Sequence, residues 1–272
     1  SGSTESVSFY KSPISRAMTS DQRIVSCHLD KIIFVESGII ANRDVYDIES
    51  VQKLYGTDYT LNTSGSDEHV FYKNSEPIPR SQVYFEWVRD FFPDNYDSLV
   101  EIGCGEGRVL EKIYRSRPDA NIKGYDGSHK AVALAQAKGL DVSQKIITKE
   151  EKLPVAEVYL LLGVAEHVEA IDVILLNIHK ALSDKGRFIV SIPLQLPLAY
   201  DFLFVDHVWH FTSNQFINVL NRYGFEVLHV DSNHPINHGF GLFVCKKAYE
   251  NKITHQLKDD GMLNNLEFWL EK

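Results

Sequence analysis

From about residue 98 onward the chain alternates between two hydrophobic periods. Short runs rich in Val, Ile, Leu and Phe predict strands at 99–102, 122–125, 142–148, 155–163 and 188–193. Between them, apolar residues recur at helical spacing over 108–116, 129–138 and 168–182. This strand–helix alternation predicts a parallel sheet covered by helices. Just upstream, Tyr84, Trp87, Val88 and Phe91 share one helix face, so that helix is expected to pack on the sheet. Further on, Thr212 reads as an N-cap, Phe216, Val219, Leu220 and Tyr223 as a buried stripe, and Gly224 as the stop. Two last strands, 225–230 and 241–245, are joined by a turn-rich loop and predict a terminal hairpin.

The first 75 residues are less periodic and richer in Ser, Asp and Tyr. They are expected to form an N-terminal cap or appendage (1–75) on a catalytic domain (76–248), followed by a charged helix or linker (249–272) whose Leu263, Leu266, Trp269 and Leu270 can line one face. Such an ending suits either a complete chain or one domain of a longer polypeptide, and a homodimer is compatible with both.

Composition narrows the function. Of 272 residues, 28 are Lys or Arg against 37 Asp or Glu, a net charge of −9 that disfavours nucleic acid as a partner. Three scattered cysteines make no disulfide framework and no paired metal motif, which suits a reducing, cytoplasmic setting. No apolar run reaches the roughly 18–20 residues that span a bilayer. Eleven histidines, concentrated in the second half, mark where chemistry is to be sought.

The most informative stretch is Glu101-Ile102-Gly103-Cys104-Gly105-Glu106-Gly107, a strand entering a glycine turn and then a helix. Glycines allow a sharp turn and a close ligand approach. A dinucleotide fingerprint needs a third glycine at 108, where Arg108 stands, and Glu101 would repel a pyrophosphate. These two residues disfavour an NAD(P)-dependent oxidoreductase. The carboxylate of Glu101 can instead accept bonds from an amino-acid ammonium. About twenty residues on, Asp126 ends the next strand, where an acid can accept both hydroxyls of a ribose. Cys104 reads as a small filler of the loop.

In order, Glu101-x-Gly103-Cys104-Gly105-x-Gly107, Tyr125-Asp126-x-Ser128, the run from Tyr159 to Val168 and the run from Ala181 to Arg187 resemble the class I S-adenosylmethionine-dependent methyltransferase family over residues 84–247. The resemblance implies an α/β, Rossmann-like sheet of seven mostly parallel strands ended by an antiparallel hairpin, with S-adenosyl-L-methionine as cofactor. It implies that Glu101, Gly103 and Gly105 cradle the methionine part, that Asp126 holds the ribose, and that Gly163 and Val164 lie beside the sulfonium. The family often has an acid four residues before a Leu-Pro pair to meet the adenine amine. Here Lys149 precedes Leu153-Pro154, with Glu150 as the nearest acid.

Methyl transfer is an in-line displacement in which orientation does much of the work, and a base is needed only where the acceptor must lose a proton. In the resembled family the segment Asp206-His207-Val208-Trp209-His210-Phe211-Thr212 walls the acceptor pocket, which makes His207 and His210 the leading bases with Asp206 as an orienting carboxylate. His167, after Glu166 at the end of the fourth strand, is the third candidate, with the turn-fixing role as its alternative. His234 and His238 read as loop residues, and His179 as a surface residue.

The run from Tyr46 to Tyr59 resembles a segment that follows a small zinc module in some sugar-modifying methyltransferases. That module needs about four cysteines, and only Cys27 is present, so no metal is expected. The likeness implies a cap that brings Tyr55, Tyr59, Tyr72 or Arg80 to a small-molecule acceptor, such as a sugar or nucleotide-linked sugar of bacterial-type surface carbohydrate biosynthesis. Its alternatives are a binding or regulatory domain of a larger protein, or N- or C-methylation of another metabolite.

Overall fold

The computed structural model describes residues 5–20, 23–43, 68, 70–149, 151–195 and 200–248. Fifteen strands lie within these segments. The first seven are β1 (Ser6–Lys11), β2 (Ala17–Met18), β3 (Ile24–Val25), β4 (Asp30–Phe34), β5 (Ile40–Asn42), β6 (Val70–Lys73) and β7 (Glu76–Pro79). Then α1 (Arg80–Arg89) leads into β8 (Ser98–Ile102), α2 (Arg108–Ser116), β9 (Asn121–Asp126), α3 (His129–Ala137), β10 (Val142–Gln144) and β11 (Ala156–Leu162). The rest comprises α4 (Ile171–Ala181), β12 (Leu182–Pro193), β13 (Trp209–His210), α5 (Ser213–Arg222), β14 (Phe225–Asp231) and β15 (Phe240–Lys247).

The central sheet has seven strands in the order β10-β9-β8-β11-β12-β15-β14. The first five are mutually parallel, and β15 runs antiparallel to both β12 and β14. Strands β8, β11 and β12 are buried on both faces, which is why they read as near-continuous apolar runs. One core layer sets Tyr159, Phe188 and Phe243 against Leu175, Ile178, Phe216 and Leu220. The other sets Leu99, Leu160 and Ile189 against Val88, Leu110, Ile113 and Val132. The α1 stripe lies on this second side, anchored by Trp87 Nε1, which donates to Asp231 Oδ2 at 2.7 Å.

Three boundaries differ from the expected ones by three residues or more, the first being that of β10, expected over 142–148 and ending at Gln144. Helix α4 starts at Ile171 because the residues before it form a short turn, Ala165–His167. Strand β12 starts at Leu182, six residues early, because Leu182 pairs with Ala156 before a register shift brings Arg187 opposite Val158. Gly186 sits inside that irregularity, and a Cβ there would come within 2.6 Å of the Glu157 carbonyl. His179 is half-buried, edge-on to Phe225 and packed over Gly224, so it is no surface residue.

The N-terminal segment has structure that its sequence did not announce. Strands β1, β4 and β5 form a second sheet, completed by β13 from the far end of the chain in the order β1-β4-β5-β13. Trp209 pairs with Ala41 and His210 with Ile40, antiparallel. The loop 200–211 is thereby fixed between the two sheets. The expected C-terminal helix or linker, 249–272, lies outside the described residues.

Candidate functional site

The cofactor end of the site is built where β8 turns into α2. Gly103, Gly105 and Gly107 all have positive φ, of 72°, 55° and 70°. At Gly103 a Cβ would lie 2.3 Å from Val164 Cγ2, so the tips of β8 and β11 close on each other only through a glycine. At Gly105 no atom of the described residues, its chain neighbours aside, lies within 4 Å of a Cβ position, and the backbone there faces open space among them. Cys104 fills the space beneath Gly124, its thiol buried and pushed well up by that burial, so it is a packing residue and no nucleophile.

Asp126, at the end of β9, is locked by two backbone donors. Its Oδ1 accepts from Ser128 N at 2.8 Å and its Oδ2 from Gly105 N at 2.7 Å. Each oxygen keeps a lone pair for a further donor. Beside it on β8, Glu101 is buried with Oε2 unpartnered, and its carboxyl is pushed up to about 8 by burial and then by the Asp126 charge. A buried carboxyl oxygen with no donor among the described residues, next to an open glycine turn, is half of a polar contact that a cationic group completes.

The second end lies at the tip of β11. Gly163 adopts φ 66°, and a Cβ there would meet Arg80 Nη2 at 3.2 Å, Glu166 Oε1 at 3.6 Å and Tyr84 Oη at 4.0 Å. Arg80, the first residue of α1, is thus brought to the site, and its guanidinium lies over the Tyr84 ring. Tyr84 Oη is buried and unpartnered. Glu166 is buried, its carboxyl pushed up to about 7 by burial against the pull of His167 and Arg80. His167 donates from Nδ1 to the Asp206 carbonyl at 2.9 Å, and its ring meets His207 edge-on at 4.6 Å. Val208 N donates to the Glu166 carbonyl at 2.7 Å, which ties the 200–211 loop to the β11 turn. His207 is buried with Nδ1 unpartnered, and burial followed by the charges of His167, His210 and Lys31 holds it well below the usual histidine range.

The predicted histidines therefore separate. His167 and His207 come together with Glu166, one ligand atom of each lying within 4.8 Å of the other two. His210 does not join them. It is fully buried, and both ring nitrogens are engaged, Nδ1 with Asp201 Oδ2 and Nε2 with Lys31 Nζ, each at 2.7 Å. Asp206 does not orient His207 either: its carboxylate accepts from Ser20 N at 2.8 Å and Ser20 Oγ at 2.6 Å, toward the N-terminal sheet. Val164 turns its side chain onto Gly103. Tyr72 is exposed on β6, while Tyr55, Tyr59 and Glu150 lie outside the described residues. Lys31 and Asp201 went unforeseen, because a lysine opening an apolar run reads locally as an exposed strand end. Glu166 had a signal, its place at the end of a buried strand in a parallel sheet.

A family model described as "Methyltransferase domain" matches residues 74–230, more than half of the chain. The chain belongs to the class I S-adenosylmethionine-dependent methyltransferases. The methyltransferase resembles three solved structures at the level of fold. One is the methyltransferase of Haloferax volcanii solved in complex with the Trm112 activator, with TM-score 0.54 and 14% identity over 62% of this chain and 91% of that one. Another is an S-adenosylmethionine-dependent methyltransferase from Mesorhizobium loti, with TM-score 0.50 and 18% identity over 61% and 98% of the two chains. The third is the [4+2]-cyclase SpnF, with TM-score 0.54 and 14% identity over 68% and 88%. A comparison with curated proteins finds no match. Among the described residues of the methyltransferase, no helix is long and apolar enough to cross a membrane.

Proposed function

We propose that the methyltransferase acts on a small polar molecule, transferring the methyl group to a hydroxyl, with a sugar or nucleotide-linked sugar as the acceptor class. The observation that carries this reading is the convergence of Glu166, His167 and His207 just beyond Gly163. In an open α/β sheet, ligands collect at the carboxyl ends of the strands. The residues beside the glycine turn fit the cofactor: the unpartnered Glu101 oxygen suits the methionine ammonium, and the free lone pairs of Asp126 suit two ribose hydroxyls. Gly105 leaves room for the ligand, and Gly163 and Val164 flank the reacting methyl, with Val164 also bracing Gly103.

When bound, S-adenosyl-L-methionine supplies an electrophilic methyl on a sulfonium. The chain supplies orientation and the exclusion of water, and the acceptor's proton is handled within the Glu166–His167–His207 cluster. His210 serves structure, since neither ring nitrogen is left for an acceptor. The N-terminal sheet acts as a cap on the acceptor side, held there by β13.

Calorimetry with S-adenosylhomocysteine tests the cofactor half, and transfer of labelled methyl to a panel of sugars and nucleotide sugars tests the acceptor half. Asp126→Ala should weaken cofactor binding about ten-fold or more, from the loss of a hydrogen-bonded charge. His207→Ala should slow turnover while leaving cofactor affinity intact. Absence of S-adenosylhomocysteine binding by the wild-type chain overturns the reading.

A further inference from the structure

The geometry points to a further ligand site in the methyltransferase, in the cleft at the amino end of β8, for a small organic phosphate that carries a flat ring. This inference stands apart from the function proposed above.

Place comes first. The cleft opens between the last turns of α1, the turn that leads into β8 and the end of α2, with Phe85, Arg89, Phe92, Tyr96 and Arg117 in its walls. Its volume is about 620 Å³, inside the range of about 300–1,000 Å³ that holds small molecules. Strand β8 runs from this cleft toward Gly103 and is five residues long, so about 17 Å of strand separates the cleft from the glycine turn. A ligand here meets neither the cofactor residues nor Glu166, His167 and His207.

Two guanidinium groups supply partners for the anion. Arg117 Cζ lies 5.1 Å from the Tyr96 ring centre and Arg89 Cζ 5.7 Å from that of Phe85, so each cation is laid against an aromatic wall. Arg117 Nη2 donates to the Tyr96 carbonyl at 2.8 Å, a bond that fixes the side chain and uses one of its donors. Arg89 Nε faces Asp90 Oδ1 at 3.4 Å in an exposed pair, which water screens. Both forks thus keep donors for a phosphate, whose oxygens guanidinium matches in geometry. The chain as a whole carries a net charge of −9, so no general field draws an anion here and the pull is local. Asp94, exposed at the rim, is the one acid among the lining residues.

The rings supply the rest. Phe85 and Phe92 are partly buried against the second core layer, and their remaining surface lines the cleft. Apolar ring surface of this kind favours a ligand with a flat ring over a bare anion. Tyr96 is only 4% exposed, and among the described residues its Oη has no hydrogen-bond partner. Burial raises the phenol above its usual range, against the pull of Arg117, so Oη keeps its proton and is a donor. A phosphate oxygen completes an orphaned hydroxyl of this kind.

The test titrates the full chain with phenyl phosphate, with and without saturating S-adenosylhomocysteine, and follows the ring protons of Phe85, Phe92 and Tyr96 by NMR. Those signals should shift saturably with a Kd of about 1 mM or tighter, whether or not S-adenosylhomocysteine is bound. Inorganic phosphate alone and phenol alone should each bind about ten-fold more weakly or worse, since each lacks half of the contact. Arg89→Gln, at an exposed position, should weaken phenyl phosphate about ten-fold. Tyr96→Phe removes a hydroxyl that has no partner in the ligand-free chain, so it should leave the melting temperature unchanged or raised while weakening phenyl phosphate several-fold. A hydroxyl with a purely structural role would show the reverse. Absence of binding, binding that S-adenosylhomocysteine displaces, binding that phosphate or phenol alone matches, or binding that neither variant weakens overturns the site.

Discussion

Lys31 in β4 and His210 in β13 lie 2.7 Å apart in the interior, Nζ against Nε2, although 179 residues separate them in the chain. Lys31 Nζ also donates to the carbonyls of Phe204 and His207, and His210 Nδ1 donates to Asp201 Oδ2 at 2.7 Å. The lysine is pushed down to about 7 by burial, against the opposing pull of Asp201 and Asp206. This chain of bonds fixes the loop that carries His207 onto the N-terminal sheet. Lys31→Met keeps the length of the side chain but leaves a buried nitrogen and two carbonyls without their donor. It should cost about 3 kcal/mol of stability in urea denaturation, the scale for breaking a buried charged partnership. If the loss is under about 1 kcal/mol, the network is dispensable.

Gly103 and Gly105 should respond differently to alanine. Both have positive φ, so each substitution carries about 1 kcal/mol of backbone strain. Gly103→Ala adds a collision with Val164 at 2.3 Å and should lower the melting temperature of the ligand-free chain strongly. Gly105→Ala places its methyl in open space and should leave the ligand-free chain close to the strain cost alone, while weakening S-adenosylhomocysteine binding. Thermal melts and calorimetry on the two variants separate the effects.

Glu101 sets a pH dependence of known sign. Its folded carboxyl titrates at about 8, above the ordinary value of 4.5, because burial and the Asp126 charge disfavour ionisation. Between those two pH values the unfolded chain has lost a proton that the folded chain retains, so stability falls as pH rises from 4.5 to 8. Asp126 is raised as well, chiefly by burial, and adds in the same direction. Glu101→Gln should flatten this slope, and urea midpoints at pH 5 and pH 8 measure it. An unchanged slope would place the titration elsewhere.

Gln215 joins two layers through one side chain. It completes the capping box of α5, its Oε1 accepting from Thr212 N at 2.9 Å, and its Nε2 donates to the Ser37 carbonyl at 3.0 Å. Gln215→Ala removes both bonds and should cost about 1–2 kcal/mol in chemical denaturation.

Much of the central sheet was legible because its instructions are local. Helix α2 and the Thr212 cap follow from residues a few positions apart, and Glu101, Gly103, Gly105 and Asp126 sit on one strand–turn–helix unit and the next strand tip. The N-terminal sheet was not legible. Its N-terminal strands are three to six residues long, and the partner that completes it, Trp209–His210, lies beyond the first five strands of the central sheet. No periodicity within residues 5–43 can encode that pairing.

The same division runs through the histidines. By itself the sequence determined the α/β architecture and the glycine turn, since hydrophobic period, capping and positive-φ glycines act over a few residues. It also drew attention to the segment from Asp206 to Thr212. Only the tertiary structure decided that His207 turns to Glu166 and His167 while His210, three residues on, is bound between Lys31 and Asp201. A histidine's role follows from the partners that long-range folding brings to each ring nitrogen, and those partners come from β4, the β11 turn and the 200–211 loop.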